Sequence, residues 1–412
     1  MTAQTGRSRL PVISMILVAA VLDMMAMGIV MPVLPVLIED LTGSLQAAGI
    51  WTGLIASLWA TMQFFCAPVI GALSDRYGRR PVILVSTAGL ALDWVLMALA
   101  PSLWWLVVGR IIGGATSASG TAIFAYMADI TPAERRTRAF GLVGAAISAG
   151  FVAGPALGGV LGEFGPRAPF WVAAGMSSLA FLYGLFVLPE SLRPENRAPF
   201  SWARANPVGV LRMLGAKRDL TGLTLSSFLL NFAHRIFTSV FVLYAGHRYG
   251  LSTLQVGLLL AVSGGLDLIV QGVLVGPIAA RLGDRRTMLL GFGSGAVGLL
   301  VMALAPSGLV FAAALAPNAL WGLAEPTLKS LMSARVSETE QGQLQGAVHS
   351  VASLAGIAGP VFFGWVYGMS LLSLPGLSFG IAAAVLLLAA LCSQLGAAPA
   401  GTPAPQPAPP GG

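Results

Sequence analysis

Long apolar runs, each closed by a short polar or charged segment, recur along the whole chain. Twelve can be laid out: roughly residues 11–37, 50–73, 82–100, 103–127, 138–162, 169–189, 220–246, 254–279, 287–306, 308–334, 343–369 and 372–395. A run of about 20 apolar residues is what one helical crossing of a bilayer requires. Several runs are longer, so tilted or kinked helices are expected, with Pro155 the natural place for a kink. The pattern predicts an all-α membrane protein of twelve transmembrane helices. Residues 396–412, rich in Ala, Pro and Gly, have nothing with which to build a core and are expected to be a disordered tail.

The polar segments carry a second regularity. Gly71-Ala-Leu-Ser-Asp75-Arg76-Tyr-Gly78-Arg79-Arg80-Pro81 returns 205 residues later as Gly276-Pro-Ile-Ala-Ala-Arg281-Leu-Gly283-Asp-Arg285-Arg286, with glycines at offsets 0 and 7 and arginines at offsets 5 and 9. Gly154-Pro155 returns as Gly359-Pro360, and Gly141 as Gly346, in the same register. Three landmarks in one register predict two homologous six-helix halves. The expected organisation is a first half over 1–189, a cytoplasmic linker over 190–218 with room for one surface helix, and a second half over 219–395. The repeat is unequal: Asp75 corresponds to Ala280, Asp23 to Phe228 and Asp93 to Gly298.

Composition agrees with the pattern. The chain is 56% hydrophobic and 9% charged, with mean hydropathy +0.82, whereas soluble domains carry about 25% charged residues. The first apolar run is too long for a cleavable signal. Cys66 and Cys392 lie in apolar runs of opposite halves and read as buried free thiols, and metal-ligand spacing of Cys or His is absent. With both termini placed inside, eighteen of the 23 Lys and Arg fall in cytoplasmic segments. Two, Arg167 and Arg248, fall outside, and Arg110, Arg235 and Lys329 lie within spans. That split sets the orientation by the positive-inside rule. The net charge of +7 then meets an anionic inner leaflet, so no nucleic acid need be invoked.

Ionisable groups within spans cost about 2.5–3.5 kcal/mol each on insertion scales, so they must pair, face a cavity or lose their charge. The acids are Asp23, Asp93, Asp267 and Glu325; His234 stands beside Arg235. Asp23, midway along span 1, suits a proton carrier, with Arg110 as its movable counter-charge; a static Asp23–Arg110 pair is the alternative. Glu325 and Lys329 have the i,i+4 spacing of a helix ion pair, so Glu325 reads equally as a structural partner or as a substrate-facing acid. Gln63, Phe64, Asn231, Phe237, Gln271, Asn318 and Trp321 are further lining candidates, beside which plain packing stays open. Asp75 can face a helix N-terminus, and Arg79 and Arg80 can pair with acids, Asp129 (before Arg136) being the nearest. Gly150, Gly154, Gly158 and Gly162 make one small-residue stripe with Pro155 and Gly159 beside it.

Twelve spans as 6+6 with the knot after span 2 resemble the major facilitator superfamily over roughly residues 10–395, and within it the drug:proton antiporter branch that contains the tetracycline exporters. The resemblance rests on Leu22-Asp23 with Gly28, Pro32 and Pro35, on Asp93, on Gly109-Arg110 with Gly113, on the span-5 glycines, on the second knot and on Gln341-Gly-Gln-Leu-Gln-Gly346. It implies a proton-coupled exporter of a drug-like molecule, tetracycline or a related amphipathic compound, in a bacterial inner membrane. It implies the knot (Gly71, Asp75, Arg76, Gly78, Arg79, Arg80) with Asp129 and Arg136 as an inner-gate latch. The glycine motif is implied as a seam between the halves, and Asp93 as a functional acid. It implies no cofactor beyond the proton gradient, a substrate able to arrive as a divalent-metal chelate, and a monomer. The span-9 acid typical of tetracycline exporters is absent here, with Gly295 in its place. Broader multidrug or metabolite transport, or a non-transporting receptor on the same fold, are the alternatives.

Overall fold

The computed structural model describes residues 10–117, 119–132, 135–200, 218–337 and 340–395. The expected tail and the 201–217 stretch of the linker, with its surface helix, lie outside the described residues. Helices account for every apolar run. They are α1 (Leu10–Val30, resumed as Leu34–Thr42), α2 (Leu45–Tyr77), α3 (Arg79–Leu99), α4 (Leu103–Thr116, resumed as Ser119–Ile130), α5 (Arg136–Gly162) and α6 (Ala168–Val187). The second half continues with α7 (Arg218–His234, Ile236–Ser239, Phe241–Tyr249), α8 (Thr253–Ile269, a π-turn over Val270–Leu274, Val275–Leu282) and α9 (Asp284–Leu304). Then come α10 (Gly308–Ala313, Leu315–Ala319, 3-10 over Leu320–Leu323, Ala324–Ser333), α11 (Gln341–Ser370) and α12 (Leu377–Cys392). Among the described residues there is no strand. Among the described residues, nine stretches are long and apolar enough to cross a membrane, α7 is bent by 48°, and Leu103–Thr116 and Leu377–Cys392 are shorter.

Local chemistry sets the ends. Ser44 accepts from the Ala47 N–H to start α2, and Ser252 with Gln255 forms a capping box at the start of α8. The helix α5 runs through Pro155, as α11 runs through Pro360. The breaks fall elsewhere, at Met31–Val33, at Arg235 and Val240, and in the π- and 3-10 turns of α8 and α10. Helix interruptions of this kind concentrate where a binding path passes between half-helices.

The glycines show how the helices approach. At Gly150 a Cβ would lie 2.6 Å from the Val21 carbonyl, at Gly154 it would lie 2.6 Å from the Gly28 Cα, and at Gly158 it would strike the Ile29 carbonyl. Gly150, Gly154 and Gly158 therefore pack on α1, within their own half. The expectation of a seam between halves is corrected for these three glycines alone. The seam with α8 is made by Pro155, Gly159 and Gly162, where a Cβ at Gly159 would sit 3.0 Å from Leu254 and at Gly162 2.6 Å from Thr253. Gly257 on α8 abuts Gly159 in return. A second seam joins α2 and α11, with Gly49 and Gly53 against Gly364 and Pro360, and with the Ser57 hydroxyl donating to the Ile357 carbonyl. A small side chain on each face is what lets membrane helices touch backbone to backbone.

Both seams lie at the end of the bundle away from the knots, and Glu163 accepts the Leu254 N–H there. At the knot end, a Cβ on Gly71, Gly141, Gly144, Gly272 or Gly276 would meet nothing within 4 Å. Among the described residues, the close glycine contacts between the halves thus lie at the end away from the knots. Gly158→Val is expected to cost about 1–3 kcal/mol or more through overpacking, while Gly141→Val stays near wild type. Thermal unfolding of the two purified variants checks this contrast.

Candidate functional site

Two groups of ionisable side chains lie inside the bundle, one in each half. In the first, α3 and α4 cross at Asp93 and Arg110. The Arg110 Nη2 donates to Asp93 Oδ2 at 2.7 Å and to the Met97 sulfur at 2.9 Å, and its guanidinium lies 4.6 Å from the Trp94 ring centroid. Asp93 is 0% exposed and Arg110 6%. Glycines make the room: a Cβ at Gly109 would stand 2.7 Å from Asp93 Oδ1, and one at Gly113 would collide with the carboxylate. Asp93 Oδ1 has no hydrogen-bond donor among the described residues. Arg110 is thus the partner of Asp93. The expectation that it serves Asp23 is corrected, because the glycine gap on α4 opens toward α3. Asp23, 7% exposed, instead borders a cavity of about 30 Å³ among Ile16, Ile83, Thr87, Ile123 and Tyr183, large enough for a water.

The second group is open rather than sealed. Glu325 Oε1 and Lys329 Nζ pair at 2.7 Å with side chains 44% and 43% exposed. Gln271 donates to Asp267 at 3.3 Å, and Asp267 Oδ1 fills the space beside Gly322 of α10. His234, exposed toward this space, has its ring 5.3 Å from Trp321 and 5.6 Å from Phe237. His234, Arg235 and Asp267 all lie within electrostatic reach of Glu325. Arg235 reaches the Ala352 carbonyl of α11 at 3.4 Å and lies against Gly356, which in turn faces Ala60 of α2. The structure thus gathers His234, Asp267, Gln271 and Glu325. It does not gather all of the predicted lining. Phe64, Phe237, Asn318 and Trp321 are 5–8% exposed packing residues. Gln63 donates to Ser117 of α4, and Asn231 to the Ser227 carbonyl one turn back. At Gly295 a Cβ would lie 3.0 Å from Trp321, so this indole takes the space that an acid there would need.

The knot is tied within the first half. Arg79 pairs with Asp75 at 2.6 Å and with Asp129 at 3.1 Å, and Ser191 also donates to Asp129. Arg80 turns to the Leu185 carbonyl, Arg136 to the Thr131 carbonyl and Arg76 to the Tyr77 ring. Asp75 meets no group of the second half among the described residues. The sequence reading overlooked Glu190, at the end of α6. Its carboxylate accepts the backbone N–H groups of Arg79, Arg80, Ser191 and Leu192 at 2.8–3.2 Å, capping the start of α3. Gly78, at φ +109°, leaves the space this carboxylate occupies. The signal was an acid at a basic span end, where the rules for topology count only Lys and Arg.

With this geometry described, comparison with known proteins is direct. Residues 16–360, and separately 223–411, match the family model described as Major Facilitator Superfamily. The chain belongs to the major facilitator superfamily. It is 38% identical over 373 residues to the tetracycline resistance protein, class C, of Escherichia coli, covering 90% of this chain and 94% of that one. It is 40% identical over 346 residues to the class G protein of Vibrio anguillarum, covering 84% and 88%. Among solved structures, the human organic anion transporter MFSD10 (TETRAN) aligns at 25% identity with TM-score 0.66, over 94% of this chain and all of that one. The nucleoside transporter NupG aligns at 13% identity with TM-score 0.78, over 93% and 98%, which shows the fold alone. The superfamily fold accounts for the two six-helix halves.

Two outcomes follow for stability. Asp93→Asn leaves Arg110 buried without its counter-charge and should cost about 3–5 kcal/mol, while Asp93→Leu with Arg110→Met should recover most of that loss. Glu190→Gln, which removes a charged cap, should cost about 0.5–2 kcal/mol. Chemical or thermal unfolding in detergent reads both.

Proposed function

We propose that this chain is a proton-coupled antiporter that exports a drug-like molecule, tetracycline or a related amphipathic compound. It would work by alternating access across a bacterial cytoplasmic membrane, with both termini and both knots inside. The observation that carries the reading is similarity to tetracycline resistance proteins along nine-tenths of the chain. In this orientation the conformer described, with its close glycine contacts between the halves at the end away from the knots, is the inward-open one.

The residues divide the work. Asp93 holds Arg110 through Oδ2 and leaves Oδ1 without a donor, so a proton can be accepted at Oδ1 before the pair breaks. Once the carboxyl is neutral, Arg110 keeps only the Met97 sulfur and the Trp94 face, and the α3–α4 crossing loosens. Asp23, with room for water beside it, is the second proton carrier. A membrane potential of 100 mV supplies about 2.3 kcal/mol per proton moved inward.

Cargo is received by the open group of the second half. An exposed i,i+4 pair contributes only about 0.3–0.5 kcal/mol, so a cationic substrate or a divalent-metal chelate can displace Lys329 from Glu325 at small cost. Asp267, Gln271 and His234 add a carboxylate, an amide and an imidazole around the same space. The knot with Asp75, Asp129 and Glu190 acts as the first-half part of the inner gate, its backbone pre-shaped for closure against the second half. The protein works as a monomer. A substrate range wider than tetracyclines is favoured by one feature, the Trp321 indole occupying the place of the span-9 acid.

Everted vesicles from an efflux-deficient strain test the proposal. Energised vesicles should accumulate tetracycline and lose it on adding a protonophore. Asp93→Asn and Asp23→Asn should abolish accumulation with normal membrane insertion. Glu325→Gln should weaken apparent affinity by about tenfold, the scale of one charge-assisted hydrogen bond. Accumulation indifferent to the proton gradient would refute coupling.

A further inference from the structure

The two knots are built on one frame but have been finished differently. Every acid that holds the first knot is replaced at the matching position of the second: Asp75 by Ala280, Asp129 by Ala334 and Glu190 by Leu395. Of the first knot's arginines, Arg79 is itself replaced, by Asp284. Arg281 and Arg285 match Arg76 and Arg80, and Arg286 is added where the first knot has Pro81. Among the described residues, Arg281 and Arg286 have no hydrogen-bond or ion-pair partner, and both are exposed. Arg285 donates to the neutral side chain of Gln394.

A cavity of about 640 Å³ opens at this place, lined by Leu282, Gly283, Arg285, Arg286, Leu289 and Leu331. Asp284 also borders it and accepts from the Ser330 hydroxyl, so one carboxylate stands beside two guanidiniums, those of Arg285 and Arg286. Leu282, which lines it, is 42% exposed. Cationic heads and bare leucines thus share one site at the ends of membrane helices α8, α9 and α10.

We propose that this cavity binds the headgroup of an anionic phospholipid, its phosphate held by Arg285 and Arg286 with Arg281 at the rim, and its acyl chains lying along Leu282 and Leu289. The charge favours an anion, because Arg285 and Arg286 outnumber the one lining carboxylate, Asp284, and none of the first knot's acids is kept. The leucines select a lipid over a soluble phosphate, since a free anion gains nothing from apolar wall. Basic pockets between helix ends are a recurrent way of holding such headgroups. The proposal rests on the chain spanning a bilayer and not on what it transports.

Native mass spectrometry of the purified full chain tests it, with phosphatidylglycerol or phosphatidylcholine added to the detergent micelle. Retention of phosphatidylglycerol over phosphatidylcholine is expected. Arg281→Gln with Arg285→Gln and Arg286→Gln should lower phosphatidylglycerol affinity by about tenfold or more. Ala280→Asp restores the missing acid without removing an arginine, and it should also weaken retention; it carries the test if the triple variant does not fold, as judged by its melting curve. Equal retention of the two lipids, or unchanged retention in the folded variants, would overturn the assignment. So would displacement of the lipid by millimolar inorganic phosphate, which would mark the cavity as a soluble-anion site.

Discussion

A charge inside the apolar slab of a membrane must be paired, wetted or neutralised, and the interior of this protein is arranged around that requirement. The first half meets it by sealing. Asp93 and Arg110 share one ion pair, with a methionine sulfur and an indole face as the remaining shell. The seal needs glycine on the facing helix, because the carboxylate occupies what would be side-chain volume at Gly109 and Gly113. The second half inverts this shape. Gly298 takes the place of Asp93, and Asn318 takes the place of Gly113 and fills the gap from the other side, its Cβ 2.7 Å from where a Gly298 Cβ would be. The same helix crossing is thus kept with the large residue on the opposite partner and without a charge. The ionic groups of that half lie elsewhere, around the broken stretches of α7, α8 and α10, where the one ion pair, Glu325 with Lys329, is half exposed.

Division of labour between the halves follows from how each group is screened. A sealed pair is strongly coupled, so one proton changes the fit of two helices. An exposed pair such as Glu325 with Lys329 is weakly held and easily exchanged, which suits a site that must release what it binds. In the proposed function, a stiff switch in one half and a soft receptor in the other would separate energy input from recognition. The knots repeat this contrast. The first is closed on itself through Arg79, Asp129 and Glu190, and the second leaves its arginines outward.

Much of this was legible in the sequence. Apolar runs fixed the helices to within a few residues, because span length is dictated by the bilayer and not by detailed packing. The repeat of 205 residues revealed the paired knots before any contact was known. Partner choice was less legible. A glycine stripe of period four shows that one face of α5 makes close contact, but not whether α1 or α8 lies there. The face given by Gly150, Gly154 and Gly158 went to α1, and the seam fell to Pro155, Gly159 and Gly162. Arg110 was assigned to Asp23 for the same reason: depth along a span can be counted, while rotation about it requires the neighbours. Glu190 escaped because its function is to accept backbone N–H groups, which leave no mark in side-chain patterning. The helix break at Arg235 escaped because no proline announces it.

The seams also bear on how the halves move. Contact between them is made by glycine against backbone at Gly53 with Pro360 and at Gly159 with Gly257, surfaces with few interlocking side chains. Such faces can part or tilt without dragging rotamers through one another, so their separation costs mainly dispersion contacts. The stripe that binds α5 to α1 is equally close but internal to one half, so it keeps α5 moving with its own bundle. One helix therefore presents two glycine faces: one meets α1 of its own half, and the other meets α8 of the second half. The rocking exchange in the proposed function would require both. Cβ additions on the α1 face should act as stability defects, and those on the α8 face as defects in conformational exchange.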